Sequence, residues 1–266
     1  MSAKIIVTGA SGSMGAVAAE ALARQGHVVV MACRNPEKAA AVRADILSRV
    51  PGAFLEIRQL ELSSMASVRD FAAGFSPGEI TALFNNAGVI SRAYALTSDG
   101  LEHTFAVNYF GPFLLTNLLL PCLKPEAHVV NMVSLTCRYV RVDEASLCPS
   151  EKDFSQLGTY ARSKLALLHF SQELARRHPE LCVNVADPGV VNSGIISMGR
   201  WFDPLADVLF RPLIKSPEKG AIPPLAALAS EEGNRYFVGN GSREIPACYR
   251  DADLQGRLWE ATERLL

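Results

Sequence analysis

Short apolar runs punctuate the chain at residues 4–8, 27–33, 54–60, 82–85, 128–133, 182–186 and 236–238. Within them Ile, Val, Leu and Phe follow one another with little alternation, the pattern of parallel strands covered on both faces. Between the runs lie longer stretches with apolar residues at helical spacing: 14–24, 36–49, 65–73, 110–122 and 159–178. Regular strand–helix alternation predicts right-handed crossovers, hence an α/β fold with a doubly wound parallel sheet and helices on both faces. No repeat or low-complexity linker interrupts it, so residues 1–266 are expected to form one domain.

Two segments break the rhythm. Residues 135–158 are mostly polar. Residues 190–216 carry Ile195, Ile196, Met198, Trp201, Phe202, Leu205, Val208, Leu209 and Phe210. So many large apolar groups on an ordinary surface loop would form a patch that soluble proteins avoid. Both segments follow the carboxyl ends of predicted strands, where such sheets bind ligands. The second is therefore expected to be a lid over an apolar substrate, with core packing as the alternative.

Composition narrows the class. The hydrophobic fraction of 49% suffices for a large core, and a formal net charge of −1 with scattered basic residues argues against a nucleic-acid surface. The six cysteines form no C-x-x-C pair, and the five histidines no metal spacing, so a metal-free protein of a reducing, cytoplasmic compartment is expected. No leader or transmembrane segment is read from the sequence, since the run from Phe110 to Leu120 contains Pro112 and Asn117 and is too short to span a bilayer. The apolar residues of stretches 110–122 and 159–178 could serve a homodimer interface or face the sheet.

Thr8-Gly9-Ala10-Ser11-Gly12-Ser13-Met14-Gly15 stands between the first predicted strand and helix. Glycines there allow a tight turn and close approach of a pyrophosphate to a helix N-terminus, the mark of a Rossmann-type dinucleotide site. Gly9, Ser11, Gly12, Ser13, Met14 and Gly15 are its candidate residues. The second strand ends Cys33-Arg34-Asn35, with no carboxylate to bind a ribose 2′-hydroxyl. Arg34, with Asn35 beside it, offers a fork to a 2′-phosphate, so NADP(H) is expected over NAD(H).

Tyr160 and Lys164 are one helical turn apart and rise from one face. An ammonium beside a phenol favours the phenolate and makes tyrosine an acid–base catalyst. That spacing alone is common on exposed helices. Here it accompanies Asn85-Asn86-Ala87-Gly88 after the fourth strand, Asn108 at an apolar helix, Ser134 ending the fifth strand and Pro188-Gly189 after the sixth. In this order the motifs resemble the short-chain dehydrogenase/reductase family over essentially the whole chain.

The resemblance implies that Ser134 bonds the substrate oxygen, Tyr160 protonates it, Lys164 binds the nicotinamide ribose and depresses the Tyr160 pKa, and Asn108 holds a relay water. It implies further that Asn85, Ala87 and Gly88 line the adenosine side, with Glu61 and Leu62 at the adenine edge. Pro188, Gly189, Val191 and Ser193 would hold the nicotinamide. Three departures stand out: Ser13 replaces the usual middle glycine, Ser193 the usual threonine, and Asp187 precedes Pro188, where sequence reasoning gives the carboxylate no role. Cys33-Arg34-Asn35 and the segment from Asn108 to Thr116 are similar to the retinol dehydrogenase-like branch, which implies retinoid, steroid or other hydrophobic ketones and aldehydes. Two alternatives remain: a non-catalytic NADPH sensor or scaffold, and, from the glycine spacing, an epimerase-like nucleotide-sugar enzyme. The retained Ser134, Tyr160 and Lys164 count against the first, the short stretch after Pro188 against the second.

Overall fold

A computed structural model describes residues 2–191 and 215–266. Its strands are β1 (Lys4–Thr8), β2 (Val28–Cys33), β3 (Phe54–Gln59), β4 (Ile80–Asn85), β5 (Leu123–Met132), β6 (Cys182–Asp187), β7 (Arg235–Val238) and β8 (Gly241–Glu244). They form one sheet in the order β3-β2-β1-β4-β5-β6-β7-β8, parallel except for the final antiparallel pair β7–β8. The helices are α1 (Ser13–Arg24), α2 (Pro36–Arg49), α3 (Met65–Ala72), the single turn α4 (His103–Phe105), α5 (Gly111–Leu119), α6 (Gln156–Arg177), α7 (Pro217–Leu228) and α8 (Ala252–Leu265). The strand order reverses between β1 and β4, so the loops after them part and leave a crevice.

The seven apolar runs are the seven parallel strands, and their residues divide between two buried layers. Ile6, Val30, Leu83 and Val129 face one set of helices, whereas Val7, Met31, Phe84 and Val130 face the other. Three features were not anticipated. β5 begins at Leu123, five residues early, because a register shift lies between the Ile80 and Ala82 pairings and Glu126 sits at φ 62°. Pro125 and two charged neighbours hide that start from a pattern search. β8 consists of four exposed residues, so burial leaves no apolar trace. The Gly239-Asn240 turn, with Gly239 at φ 60°, was the available hairpin signal. α7 contains Pro223 and Pro224, which cannot donate helical hydrogen bonds and so mask the element.

The apolar stretch 110–122 belongs to a longer helical run, His103–Cys122, which is long and apolar enough to cross a membrane by those measures alone. About four-fifths of its best window is buried inside the protein, and it is a core helix (78%). It widens to a π-turn over Ala106–Phe110. Pro112 lacks the N–H that would meet the carbonyl of Asn108 four residues earlier, and the strained turn falls there.

Large apolar residues of stretches 110–122 and 159–178 turn inward. Phe113 of α5 and Phe170 of α6 meet Trp259 of α8, with ring centroids 4.9 and 5.5 Å apart. Arg177 lies over the same indole at 4.3 Å, and Tyr109 bonds Thr262 at 2.7 Å. The segment 135–158 is likewise tied to the body, with Cys137, Val142 and Leu147 buried. Trp259 is 4% exposed and far in sequence from the rings it joins. Trp259→Ala should therefore cost about 3–5 kcal/mol, seen as a lower urea midpoint. An unchanged midpoint would mean that α8 contributes nothing to the core.

Candidate active site

The crevice at the β1–β4 switch is a cleft of about 290 Å³. Gly9, Ser11, Gly12, Ser13, Met14 and Gly15 line it, with Arg34 and Asn35 after β2, Glu61 and Leu62 after β3, and Ala87 and Gly88 after β4. All twelve had been singled out in the sequence. Two of the glycines are dictated by geometry. Gly9 sits at φ 66°, and a Cβ there would lie 3.0 Å from the Ala87 Cα. At Gly15 a Cβ would meet the Gly9 carbonyl at 2.3 Å, so only glycine lets α1 approach the turn.

α1 follows Gly12 at its N-cap, with no side-chain cap and no acidic residue in its first turn. Its leading N–H groups and positive dipole end therefore face the cleft without a competing side chain, a seat for an anion of pyrophosphate shape. The glycine cradle and this uncapped helix fit a dinucleotide. Its floor is held by Thr8, whose hydroxyl accepts from Asn86 N and Ala87 N, both at 3.0 Å. The Asn86 amide also donates to the Thr8 carbonyl at 2.8 Å.

At the ribose end Arg34 is exposed, with Nε 3.7 Å from Glu61 Oε2. The other Glu61 oxygen accepts from Ser63 N and Oγ, while Glu61 still lines the cleft. Lys38 also lines the cleft and brings a second cation, which the sequence reading overlooked. It lies one turn into α2, and the signal was its place four residues after Arg34. Asn35 caps the same helix, its Oδ1 accepting from Lys38 N at 2.7 Å.

Asn85 departs from expectation. Its amide turns into the core, donating to Asn131 Oδ1 at 2.8 Å and Thr116 Oγ1 at 3.1 Å, and it does not line the cleft. The next residue, Asn86, reaches the cleft instead, because neighbouring strand positions face opposite sides.

The second cluster lies beyond Gly88. Lys164 of α6 is 2% exposed and donates from Nζ to the carbonyl of Met132, the last residue of β5, at 2.8 Å. A Cβ on Gly88 would be 3.3 Å from that Nζ and 3.4 Å from Asn108 Oδ1, which links this cluster to the cleft. The Asn108 side chain is fully used: Oδ1 accepts from Val89 N, and Nδ2 donates to the Val89 carbonyl and to Ser163 Oγ. Pro112 also deprives the Asn108 carbonyl of its helical donor. Ser163, a further residue the sequence reading missed, ties Asn108 to α6 by donating to the Tyr160 carbonyl at 2.7 Å.

Tyr160 is half-buried, one turn before Lys164. Burial pushes its phenol up to about 12, while the Ser134 hydroxyl bonded to it pulls the other way. Burial also brings the Lys164 ammonium down to about 8. For the Tyr160 phenol, dehydration outweighs the bond from Ser134. Ser134 also accepts from Thr136 N and Oγ1 as it caps the following 3₁₀ turn.

Gly189 stands at φ 74° after Pro188, and Lys215 Nζ donates to the Pro188 carbonyl at 3.2 Å. Val191 pairs with Lys215. A Cβ on Gly220 of α7 would strike both Val191 Cγ2 and Met14 Sδ, at 2.7 and 3.0 Å, so this turn closes against the cleft wall. Ser193 and most of the predicted lid, residues 192–214, lie outside the described residues.

Comparison with known proteins agrees with this arrangement. The family model for short chain dehydrogenases matches residues 3–198. Human retinol dehydrogenase 13 is 34% identical, the match covering 98% of this chain and 84% of that protein. Mouse polyprenol dehydrogenase is 36% identical, over 98% of this chain and 82% of its own length. A solved structure from Mycobacterium paratuberculosis, of an uncharacterised protein, superposes with a TM-score of 0.79 at 30% identity, covering 99% of this chain and 92% of that one. A short-chain dehydrogenase from Sphingobium yanoikuyae, solved in complex with NADPH, shares the fold with a TM-score of 0.66 at 20% identity, over 88% and 87% of the two chains. With the glycine cradle, the Ser134–Tyr160–Lys164 cluster and these matches together, the chain belongs to the short-chain dehydrogenase family and is an oxidoreductase acting on CH–OH and C=O groups.

Proposed function

We propose that the protein is an NADP(H)-dependent oxidoreductase that interconverts the carbonyl and alcohol of an apolar substrate, of the retinoid, steroid or other hydrophobic ketone or aldehyde class. The observation that carries the cofactor choice is the pair of cations, Arg34 and Lys38, at the ribose end of the cleft, where Cys33 stands in place of a carboxylate. Relatives named for retinol and polyprenol, and the apolar residues of segment 190–216, support the substrate class. We read that segment as a substrate lid within a single domain. The six separate cysteines suit a reducing, cytoplasmic setting.

Gly9 to Gly15 and the start of α1 would seat the pyrophosphate. Arg34 and Lys38 would hold the 2′-phosphate, and Lys164 the nicotinamide ribose. The Pro188–Val191 turn would pack on the nicotinamide, with Ser193 at its carboxamide. Bound there, the cofactor supplies or accepts the hydride. Ser134 Oγ then fixes the substrate oxygen beside Tyr160. At pH 7 a phenol raised to about 12 is fully protonated and ready to give its proton to that oxygen. In the reverse direction the phenolate must be populated first, so alcohol oxidation should accelerate as pH rises.

Tyr160→Phe should retain the fold and NADPH affinity while lowering kcat by on the order of 10²–10⁴ in an assay of NADPH absorbance with apolar ketones and aldehydes. Near-normal turnover would remove Tyr160 from the chemistry. Arg34→Ala should weaken NADPH by about ten- to a hundredfold, as loss of a charge-assisted bond requires, and leave NADH almost unchanged. Equal binding of NADPH and NADH by the wild type would reduce Arg34 to a surface residue.

A further inference from the structure

Lys215 lies two residues before α7 and is half-buried against the Pro188–Gly189 turn. Its backbone N–H donates to the Val190 carbonyl at 2.8 Å, and it pairs with Val191. Its Nζ donates to the Pro188 carbonyl at 3.2 Å, and a Cβ on Gly189 would lie 3.1 Å from that Nζ and 3.4 Å from Cε. The side chain thus runs along the turn, and the ammonium is fixed there.

Among the described residues Lys215 forms no ion pair with a carboxylate. Asp187, beside the turn, is 3% exposed and committed elsewhere: Oδ1 accepts the Gly189 N–H and Oδ2 the Tyr236 phenol, each at 2.8 Å. Glu218, in the first turn of α7, is exposed and bonded to the Ser216 hydroxyl. A cation at the start of α7 opposes the helix dipole unless an anion lies beside it. Pro188 uses one of the three N–H groups of the ammonium, which leaves two for a further acceptor.

The packing around the turn says which acceptor. A Cβ on Gly220 would strike Val191 Cγ2 at 2.7 Å and Met14 Sδ at 3.0 Å, so the Val191–Lys215 pair is packed onto the second residue of α1. Met14 lines the cleft at the uncapped start of that helix, the seat for an anion. Arg34 and Lys38 stand at the ribose end and would serve the 2′-phosphate, so the pyrophosphate is the anion within this junction. Resting on the function proposed above, we infer that Lys215 is a cofactor-binding residue. Its ammonium pairs with the pyrophosphate of the dinucleotide, and its bond to Pro188 ties that anion to the nicotinamide-side turn. Unlike Arg34, it serves NADPH and NADH alike.

Lys215→Gln removes the charge but keeps an amide donor for the Pro188 carbonyl, and Lys215→Arg keeps the charge. Calorimetric titration of the full chain with NADPH, NADH and 2′-AMP separates the contributions without turnover. Lys215→Gln should weaken NADPH and NADH by the same factor, about ten- to a hundredfold. It should leave 2′-AMP, which has no pyrophosphate, unchanged. Arg34→Ala should give the opposite pattern, losing NADPH and 2′-AMP while sparing NADH. Lys215→Arg should keep most of the wild-type affinity. Lys215→Met keeps the stem along the turn and reads the same loss if the glutamine variant folds poorly. A wild type that binds neither NADPH nor NADH would overturn the proposed function. A wild type that binds them, with Lys215→Gln and Lys215→Met unimpaired, would overturn the role of Lys215 alone. So would an equal loss of 2′-AMP, which marks general damage, or a loss in Lys215→Arg as large as in Lys215→Gln.

Discussion

A lysine ammonium carried into the interior is the constraint on which the site depends. Lys164 can be buried because the Met132 carbonyl at the end of β5 accepts a hydrogen bond from it and Gly88 leaves room beside it. Those requirements fix the height of α6 against the sheet, and Tyr160, one turn earlier, is placed with it. Asn108 strengthens the same junction by bridging Val89 and Ser163 from the π-turn. The buried network of Asn85, Asn131, Thr116 and Ser171 lies just below. A polar core of this kind is costly unless nearly every group is paired, and here the pairing draws together β4, β5, α5 and α6.

The cofactor half of the site rests on a different physical device, close approach. Gly9 and Gly15 bring α1 against the end of β1, so the helix can offer unpaired N–H groups rather than side chains. Chemistry at the other end is controlled by dehydration. Burial raises the phenol and lowers the amine, and the groups bonded to them set which protonation states survive at neutral pH.

Much of this was legible in the sequence because it follows from local chemistry. Parallel strands buried on both faces announce themselves as apolar runs, and the glycine turn and the Tyr160/Lys164 spacing identify their own elements. What stayed hidden depends on tertiary direction. Nothing in the order Asn85-Asn86 says which amide faces the core, and the likeness to a family pointed to the wrong one of the two. β8 buries no side chain, and α7 carries two prolines, so neither leaves the usual trace. Asp187 had no reading until Tyr236, 49 residues away, was found donating to it. The sign of the Tyr160 shift was also beyond reach, because spacing reports a neighbouring ammonium but not the water excluded from both groups.

On the proposed function, Tyr160 is a half-buried, neutral phenol that serves as the proton donor. The most direct test is an ultraviolet difference titration of the ligand-free wild type against Tyr160→Phe. The account predicts no tyrosinate attributable to Tyr160 below about pH 10. A tyrosinate appearing with a midpoint near neutrality would contradict it and return control of the phenol to Lys164.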